Sequence, residues 1–266
     1  NAESCGKKIA NKVLGCILDG YGYGLDGSSW GGELIQFSSQ DLRFELISQL
    51  TPLQVPGGDI AENEPWRIAL ALCVENDLPI PEHLLVHPQA AQVIELCKRQ
   101  QFGTSTSLGR KFSAVAALLN IVTESKYEAH AAMVMESIVH GPEVDFDYAR
   151  LNLAGVPDFN LLIKQVYQIG IIEKNVQQAI NLFYGNLSVL IEKWILFHCS
   201  TRGISQVAIS GGCWQSRYLL SALSDKFKLL GIELLIPYQL PFNDECISFG
   251  QAWYGARALQ KGILCV

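Results

Sequence analysis

Charge is scarce in this chain of 266 residues: Asp, Glu, Lys and Arg together make up 17% of it, and the acids leave a formal net charge of −6. A surface short of positive charge disfavours a general nucleic-acid backbone binder, which needs basic side chains to replace counterions. Long apolar runs are missing too. None approaches the roughly 18 residues that span a bilayer, so neither nucleic acid nor membrane is an expected partner. The opening stretch, Asn1-Ala2-Glu3-Ser4-Cys5-Gly6-Lys7-Lys8, lacks the apolar segment of a secretory signal. It also lacks an initiator Met, so Asn1-Ala2 reads as the scar of a cleaved tag and the chain as part of something longer. Eight cysteines are present, but no CxxC pair and no short repeated spacing. Disulfide frameworks belong to short, loop-rich secreted chains, so reduced thiols in a cytoplasmic protein are expected.

Apolar residues are plentiful, at 49% of the chain, enough for a sizeable core in one large domain or two small ones. Val13–Asp19 reads as a buried strand, followed by a glycine-rich turn, a second strand near Glu33–Phe37 and a third near Arg43–Ile47, an antiparallel meander. Helical patterns then begin at Glu64-Pro65-Trp66-Arg67, with Pro65 in the first turn. They continue over about 88–100, 107–120, 128–139, 158–170 and 175–201. Thr104 to Ser107 offer capping hydroxyls to the second of these five. After that the period changes to strand at 204–209, helix at 213–230, strand at 232–236 and helix at 244–261. Without the helical middle, about 64–200, the order is three antiparallel strands, helix, strand, helix, strand, helix. That is an α/β, ribonuclease H-like order, the one underlying the actin, sugar-kinase and Hsp70 nucleotidases. Fold alone does not decide chemistry.

Three stretches carry the chemistry. In Leu18 to Glu33, six glycines separate two strands and Asp19 stands at the expected end of the first. Glycine lets backbone amides approach a phosphate, and a carboxylate beside them can hold a cation-bound water. A long hairpin tip would explain the same composition. Ile209-Ser210-Gly211-Gly212-Cys213-Trp214 passes from strand through two glycines into a helix, whose free amides suit an anion or nucleotide. A tight turn packed by glycines is the plainer reading. Asp244 opens the last helix, either as an acidic cap or as a metal-ligand carboxylate facing a cleft.

Taken together these stretches resemble the C-terminal lobe of the HypF hydrogenase maturation carbamoyltransferases. The resemblance runs in order over residues 3–266. It includes Leu18–Gly24 with Trp30–Glu33, Pro56–Asp59 with Glu64–Arg67, and Gly109-Arg110 with Ala114–Leu119. It continues through Tyr127-Glu128 with Ala131-Ala132, Ser210–Gly212 with Gln215 and Arg217, and Pro241–Asp244 with Gly250-Gln251. The lobe is also similar to that of the TsaD tRNA threonylcarbamoyltransferases. What the resemblance implies is transfer of a carbamoyl group, from a carbamoyl-adenylate made from carbamoyl phosphate and ATP in an upstream domain, to a cysteine of the partner HypE. That step belongs to cyanide-ligand synthesis for nickel-iron hydrogenases. By motif match, Asp19, Gly20, Gly22 and Gly24 would lie near phosphates with Mg, Gly211 and Gly212 against the nucleoside, Glu128 near the ribose, and Asp244 at a Zn- or Fe-type metal. Upstream HypF domains would complete the site.

The chain departs from the family pattern at several of these places. The family's histidine pair on HxxxH spacing precedes the first strand and is absent. His83 and His87 share that spacing, but they follow the meander and precede Pro88, so they read as a loop or helix edge. His130, His140 and His198 read as surface or satisfied core residues. Ser113 stands where the family has Asp, Ala129-His130 where it has Gly-Gln, Ser216 where it has Asn, and Glu245-Cys246 where it has Gly-Gly. Cys213 is either an activated thiolate or a buried apolar position. Two other functions stay open: a degenerate lobe that docks a partner without turnover, and a kinase or ATPase of the same superfold. The chain by itself is expected to turn nothing over.

Overall fold

The computed structural model describes residues 8–237, 239–241 and 243–263. Its centre is a mixed sheet. Strand β1 (Lys12–Tyr23) pairs antiparallel with β2 (Ser29–Ser38), and β2 with β3 (Arg43–Gln49). On its other side β1 pairs in parallel with β6 (Gln206–Ser210), and β6 with β7 (Glu233–Leu235). Two short strands, β4 (Leu53–Gln54) and β5 (Thr104–Ser105), extend the sheet beyond β2. The strand order 3-2-1-6-7 around β1 is the expected ribonuclease H-like arrangement. The two segments, 193 residues apart in sequence, meet in register, with Leu14 opposite Val207 and Cys16 opposite Ile209.

Helices fill the middle of the chain. They are α1 (Ile60–Asn63), α2 (Pro65–Glu75), α3 (Glu82–Leu85), α4 (Ala90–Lys98), α5 (Leu108–Leu118), α6 (His130–Ile138), α7 (Phe159–Tyr167) and α8 (Val176–Arg202). The helix starts follow the expected chemistry: Pro65 occupies the first turn of α2, and the Ser107 hydroxyl accepts from Arg110 N at the start of α5. Between the last strands lies α9 (Arg217–Leu229), and α10 (Ile247–Gln260) closes the described chain.

One face of the sheet, through Leu14, Cys16, Leu18, Leu34, Val207 and Ile209, joins the helical layer in a single core. α8 runs through that core. Every residue from Asn181 to Ile191 is buried, so the helix is enclosed on all sides there rather than amphipathic. Its ends are specified by Asn175, whose side chain accepts from Gln178 N, and by Gly203 in the left-handed region. The other sheet face is covered by α10, with Phe249, Trp253 and Tyr254 bordering an apolar groove of about 410 Å³. No described helix is long and apolar enough to cross a membrane.

Several boundaries differ from the expectation. β1 does not stop at Asp19 but continues to Tyr23, and β2 begins at Ser29, so Gly20, Gly22, Gly31 and Gly32 lie in strands. The strands are long because glycine, although a weak strand former, still pairs through its backbone. The expected helix over 213–230 is divided: a 3-10 turn, Gly212–Gln215, precedes α9. Likewise Asp244–Cys246 form a 3-10 turn ahead of α10. The two histidines at 83 and 87 have separate partners. His83 Nε2 lies 2.9 Å from the Ala117 carbonyl, and the His87 ring stacks on Trp66 at 4.3 Å between centroids. His198 is buried with its Nε2 unpaired, which corrects its reading as a satisfied residue. The six described cysteines, among them Cys16, Cys199 and Cys213, are free; Cys5, Cys265 and the motif residue Phe242 lie outside the described residues.

Ala129 precedes α6 in the left-handed region, with φ 57°, ψ 15°. A Cβ in the left-handed region is crowded by the following carbonyl. Replacing Ala129 by Gly is therefore expected to stabilise the protein by about 1 kcal/mol, a rise in Tm of about 2–4 °C. Differential scanning calorimetry checks this; an unchanged or lower Tm would contradict the strain.

Candidate functional site

The site grows out of an irregularity in the β1–β2 ladder. Residue pairing runs regularly to Leu18 opposite Gly32, then resumes at Gly22 opposite Trp30. Three residues of β1, Asp19 to Tyr21, therefore face one of β2, Gly31. Such a bulge takes the extra residues out of the ladder and re-aims their side chains. β1 and β6 are neighbouring parallel strands; β6 reaches its carboxyl end here, and the pairing of β1 with it ends at Ile17 opposite Ser210, just before the bulge. Crevices at that place in α/β sheets are where ligands bind.

The turn after β6 packs directly on the bulge. Gly211 has φ 102°, and a Cβ built on it would stand 2.2 Å from the Leu18 carbonyl oxygen, so only glycine fits. Bulge and turn are then joined by one carboxylate oxygen. Asp19 Oδ1 accepts from Gly20 N at 2.7 Å and from Gly212 N at 3.2 Å. Trp214, fully buried, fixes the turn from below by donating its indole N–H to the Cys16 carbonyl at 3.1 Å. From the helical layer, the Ser107 hydroxyl lies 2.9 Å from the carbonyl of Asp19 and 2.8 Å from that of Gly20, with one proton to share between them. Behind it Gly109 lets α5 touch the bulge: a Cβ there would be 2.6 Å from Gly20 Cα.

Electrostatics single out Asp19. Burial raises its pKa above the ordinary carboxyl value, the amides of Gly20 and Gly212 pull it down, and the carboxylate of Asp244 pushes it up again. Asp244, 225 residues away in sequence, is thus near enough for its charge to bear on Asp19. Of the three residues expected to converge, Asp19 and Gly211 meet in the packing of the bulge against the turn after β6, and the charge of Asp244 bears on Asp19. Cys213 beside them is no activated thiolate: burial, and then the charge of Asp19, drive its pKa up.

The remaining expected residues are placed differently. A Cβ on Gly20 would meet nothing within 4 Å, so its α-carbon faces open space. Gly22 is paired with Trp30 in the ladder, and Gly24 N donates to Ser28 O at 2.9 Å in the hairpin turn. Glu128 is exposed in the turn before α6 and, among the described residues, shares no hydrogen bond or ion pair with the Asp19 group. Also among the described residues, no three His, Cys, Asp or Glu side chains are grouped to hold a metal. Two neighbouring carboxylates without imidazole suit a hard cation that keeps its waters and takes phosphate oxygens, rather than a transition metal. Glu33 and Trp214 were not singled out from the sequence. Each left a signal: the one charged residue of β2, and a tryptophan two positions after a glycine pair.

Residues 15–251 match the family described as "Carbamoyltransferase, Kae1-like Domain, second subdomain". The chain belongs to that family. It is 32% identical to carbamoyltransferase HypF of Rhizobium leguminosarum bv. viciae, over 96% of this chain but only 33% of that protein. A HypF homolog of Cupriavidus necator is 30% identical over 94% of this chain and 66% of its own length. The chain therefore spans between a third and two thirds of these HypF relatives. Its fold superposes on a full-length HypF, crystallised in a phosphate- and nucleotide-bound form, with a TM-score of 0.88 and 28% identity, covering 99% of this chain and 42% of that one. The HypF of T. kodakarensis shares the fold, with a TM-score of 0.77 at 22% identity.

The raised pKa of Asp19 has a consequence for stability. A carboxyl whose folded pKa exceeds its unfolded value binds its proton more tightly when folded. Stability then falls as pH rises from the ordinary value of 3.8 through the raised one, and stays lower above it. Asp19→Asn keeps an oxygen for the two amides and removes the charge. Its Tm is expected to exceed that of the parent at pH 7, with the gap closing as pH falls toward 4. A parent more stable than the variant at pH 7 would show that ionised Asp19 is stabilising instead.

Proposed function

We propose that the chain supplies the second lobe of a carbamoyl-adenylate site, passing the carbamoyl group to a HypE cysteine in the maturation of nickel-iron hydrogenases. The observation that carries this reading is the packing of the Gly211-Gly212 turn, at the carboxyl end of β6, on the β1 bulge, with Asp19 bonded to both. It is supported by the family match and by a relative crystallised with phosphate and nucleotide. In the transfer, the cysteine sulfur bonds to the carbamoyl carbon as the bond from that carbon to the adenylate oxygen breaks, releasing AMP. The work of such a lobe is to position the nucleotide and stabilise charge.

Each residue has a part in this reading. Asp19 Oδ1 holds the bulge to the turn, which leaves Oδ2 and Asp244 to face magnesium-bound water. The open space at Gly20 admits phosphate, and Gly211-Gly212 form the wall against the nucleoside. Gly22 and Gly24 shape the hairpin that carries the bulge, and Glu128 reaches a ribose only from the outer edge. Upstream HypF domains complete the site. Free cysteines suit a reducing compartment, the cytoplasm.

A second reading, a docking lobe without turnover, is favoured by two substitutions. Ser113 spends its hydroxyl on the Gly109 carbonyl at 3.2 Å, where the family carries a carboxylate. Ala129 strains a turn where the family carries Gly. Turnover of the complete assembly separates the two readings. The chain alone is expected to release neither AMP nor phosphate from ATP and carbamoyl phosphate, yet to bind ATP with magnesium. Gly20→Glu, whose Cβ meets nothing within 4 Å, is expected to weaken that binding about tenfold or more by bringing like charge into the phosphate space, with Tm unchanged. Isothermal titration calorimetry measures both proteins. Equal affinity in parent and variant would remove the phosphate from this site.

A further inference from the structure

Glu33 is 1% exposed in the middle of β2, yet it carries a carboxylate. Its Oε2 accepts from Gly31 N at 2.9 Å and from Gly32 N at 2.8 Å. Its Oε1 accepts from the Thr106 hydroxyl and, at 3.5 Å, from Gln49 Nε2. Burial raises the pKa of this group, and the four donors oppose the rise. A carboxylate so deeply buried is unusual unless its lone pairs are satisfied, as they are here.

The position of these bonds matters more than their number. Gly31 is the residue of β2 that has no partner on β1, because the ladder jumps from Leu18–Gly32 to Gly22–Trp30. An amide released from a ladder inside the protein must find another acceptor. Glu33 supplies it. The same carboxylate holds Thr106, the neighbour of Ser107, whose hydroxyl grips the carbonyls of Asp19 and Gly20 from the other side. One buried group therefore fixes both walls between which the bulge sits.

We propose that Glu33 is the positioning residue of the candidate site: it takes the place of β1 as partner of the Gly31 amide and so holds Asp19 and Gly20 out of the ladder, open to a nucleotide phosphate. The phosphate clause rests on the function proposed above, whereas the shaping of the bulge stands on geometry alone.

Two measurements on the 266-residue chain test it: ATP affinity with magnesium, by calorimetry, and amide deuterium exchange resolved over residues 19–23 and over α8. Glu33→Ala is expected to weaken ATP binding about tenfold or more, and to change exchange at 19–23 while α8 stays protected. Glu33→Gln keeps an oxygen for the glycine amides and an N–H for Thr106, so it is expected to stay within about threefold of the parent. Unchanged affinity and exchange in Glu33→Ala would overturn the proposal. A Gln variant as weak as Ala would overturn it too, since charge and not geometry would then be acting. If Glu33→Ala does not fold, Thr106→Val removes one of the four donors, and unchanged exchange at 19–23 in that variant counts against the proposal. A parent that binds no ATP refutes the nucleotide reading instead, and exchange alone then decides whether Glu33 shapes the bulge.

Discussion

A single carboxylate oxygen, Asp19 Oδ1, joins the bulge of β1 to the turn after the parallel strand β6 by accepting from Gly20 N and Gly212 N. The rest of the site follows from that junction. It requires β1 to leave its ladder with β2 for three residues, and it requires the turn after β6 to approach within a distance only glycine allows. The charge of Asp244 bears on the same carboxylate. A buried carboxylate held by amides and faced by another carboxylate is costly in the empty protein. That cost is reasonable where a cation and phosphate oxygens complete the charge balance.

The helical middle acts as support for this junction. α5 reaches the bulge because Ser107 caps it and Gly109 exposes its backbone, so one hydroxyl closes a helix start and grips two strand carbonyls. α8 anchors α5 and the sheet from behind: Trp194, fully buried, donates its indole N–H to Ser48 Oγ at 2.8 Å. Such residues stabilise the fold without touching a ligand, and a truncation such as Trp194→Ala removes about 3–5 kcal/mol. The apolar groove beneath α10 lies on the opposite sheet face and takes no part in the junction.

Much of this was legible in the sequence because the strong signals are local. The apolar run of Val13–Leu18, the Pro65 start, the capping hydroxyls of Thr104 to Ser107 and the helical pattern over 175–201 each report on neighbouring residues. The strand order followed from those elements. The bulge did not, because it depends on where β2 runs out of partners, and glycines at 20, 22, 31 and 32 read equally well as loop. For the same reason Glu33 passed as one residue of a motif, although its role is set by Gly31 and by Thr106, 73 residues further on. Asp244 and Glu128 were both chosen from their motifs; the charge of Asp244 bears on Asp19, while Glu128 stands outside the hydrogen-bonded group. Motif matching gives membership of a family lobe; only the packing shows which residues meet.

The central claim is that the bulge and the Gly211-Gly212 turn together face the nucleotide. Amide chemical-shift mapping during titration with ATP and magnesium tests it most directly, since glycine amides stand apart in the nitrogen dimension. The account predicts that Gly20, Gly211 and Gly212 shift together and saturate at one affinity, with residues of α10 unmoved. Shifts confined to the groove lined by Phe249 and Trp253, or glycine signals that stay fixed while ATP binds, would contradict it.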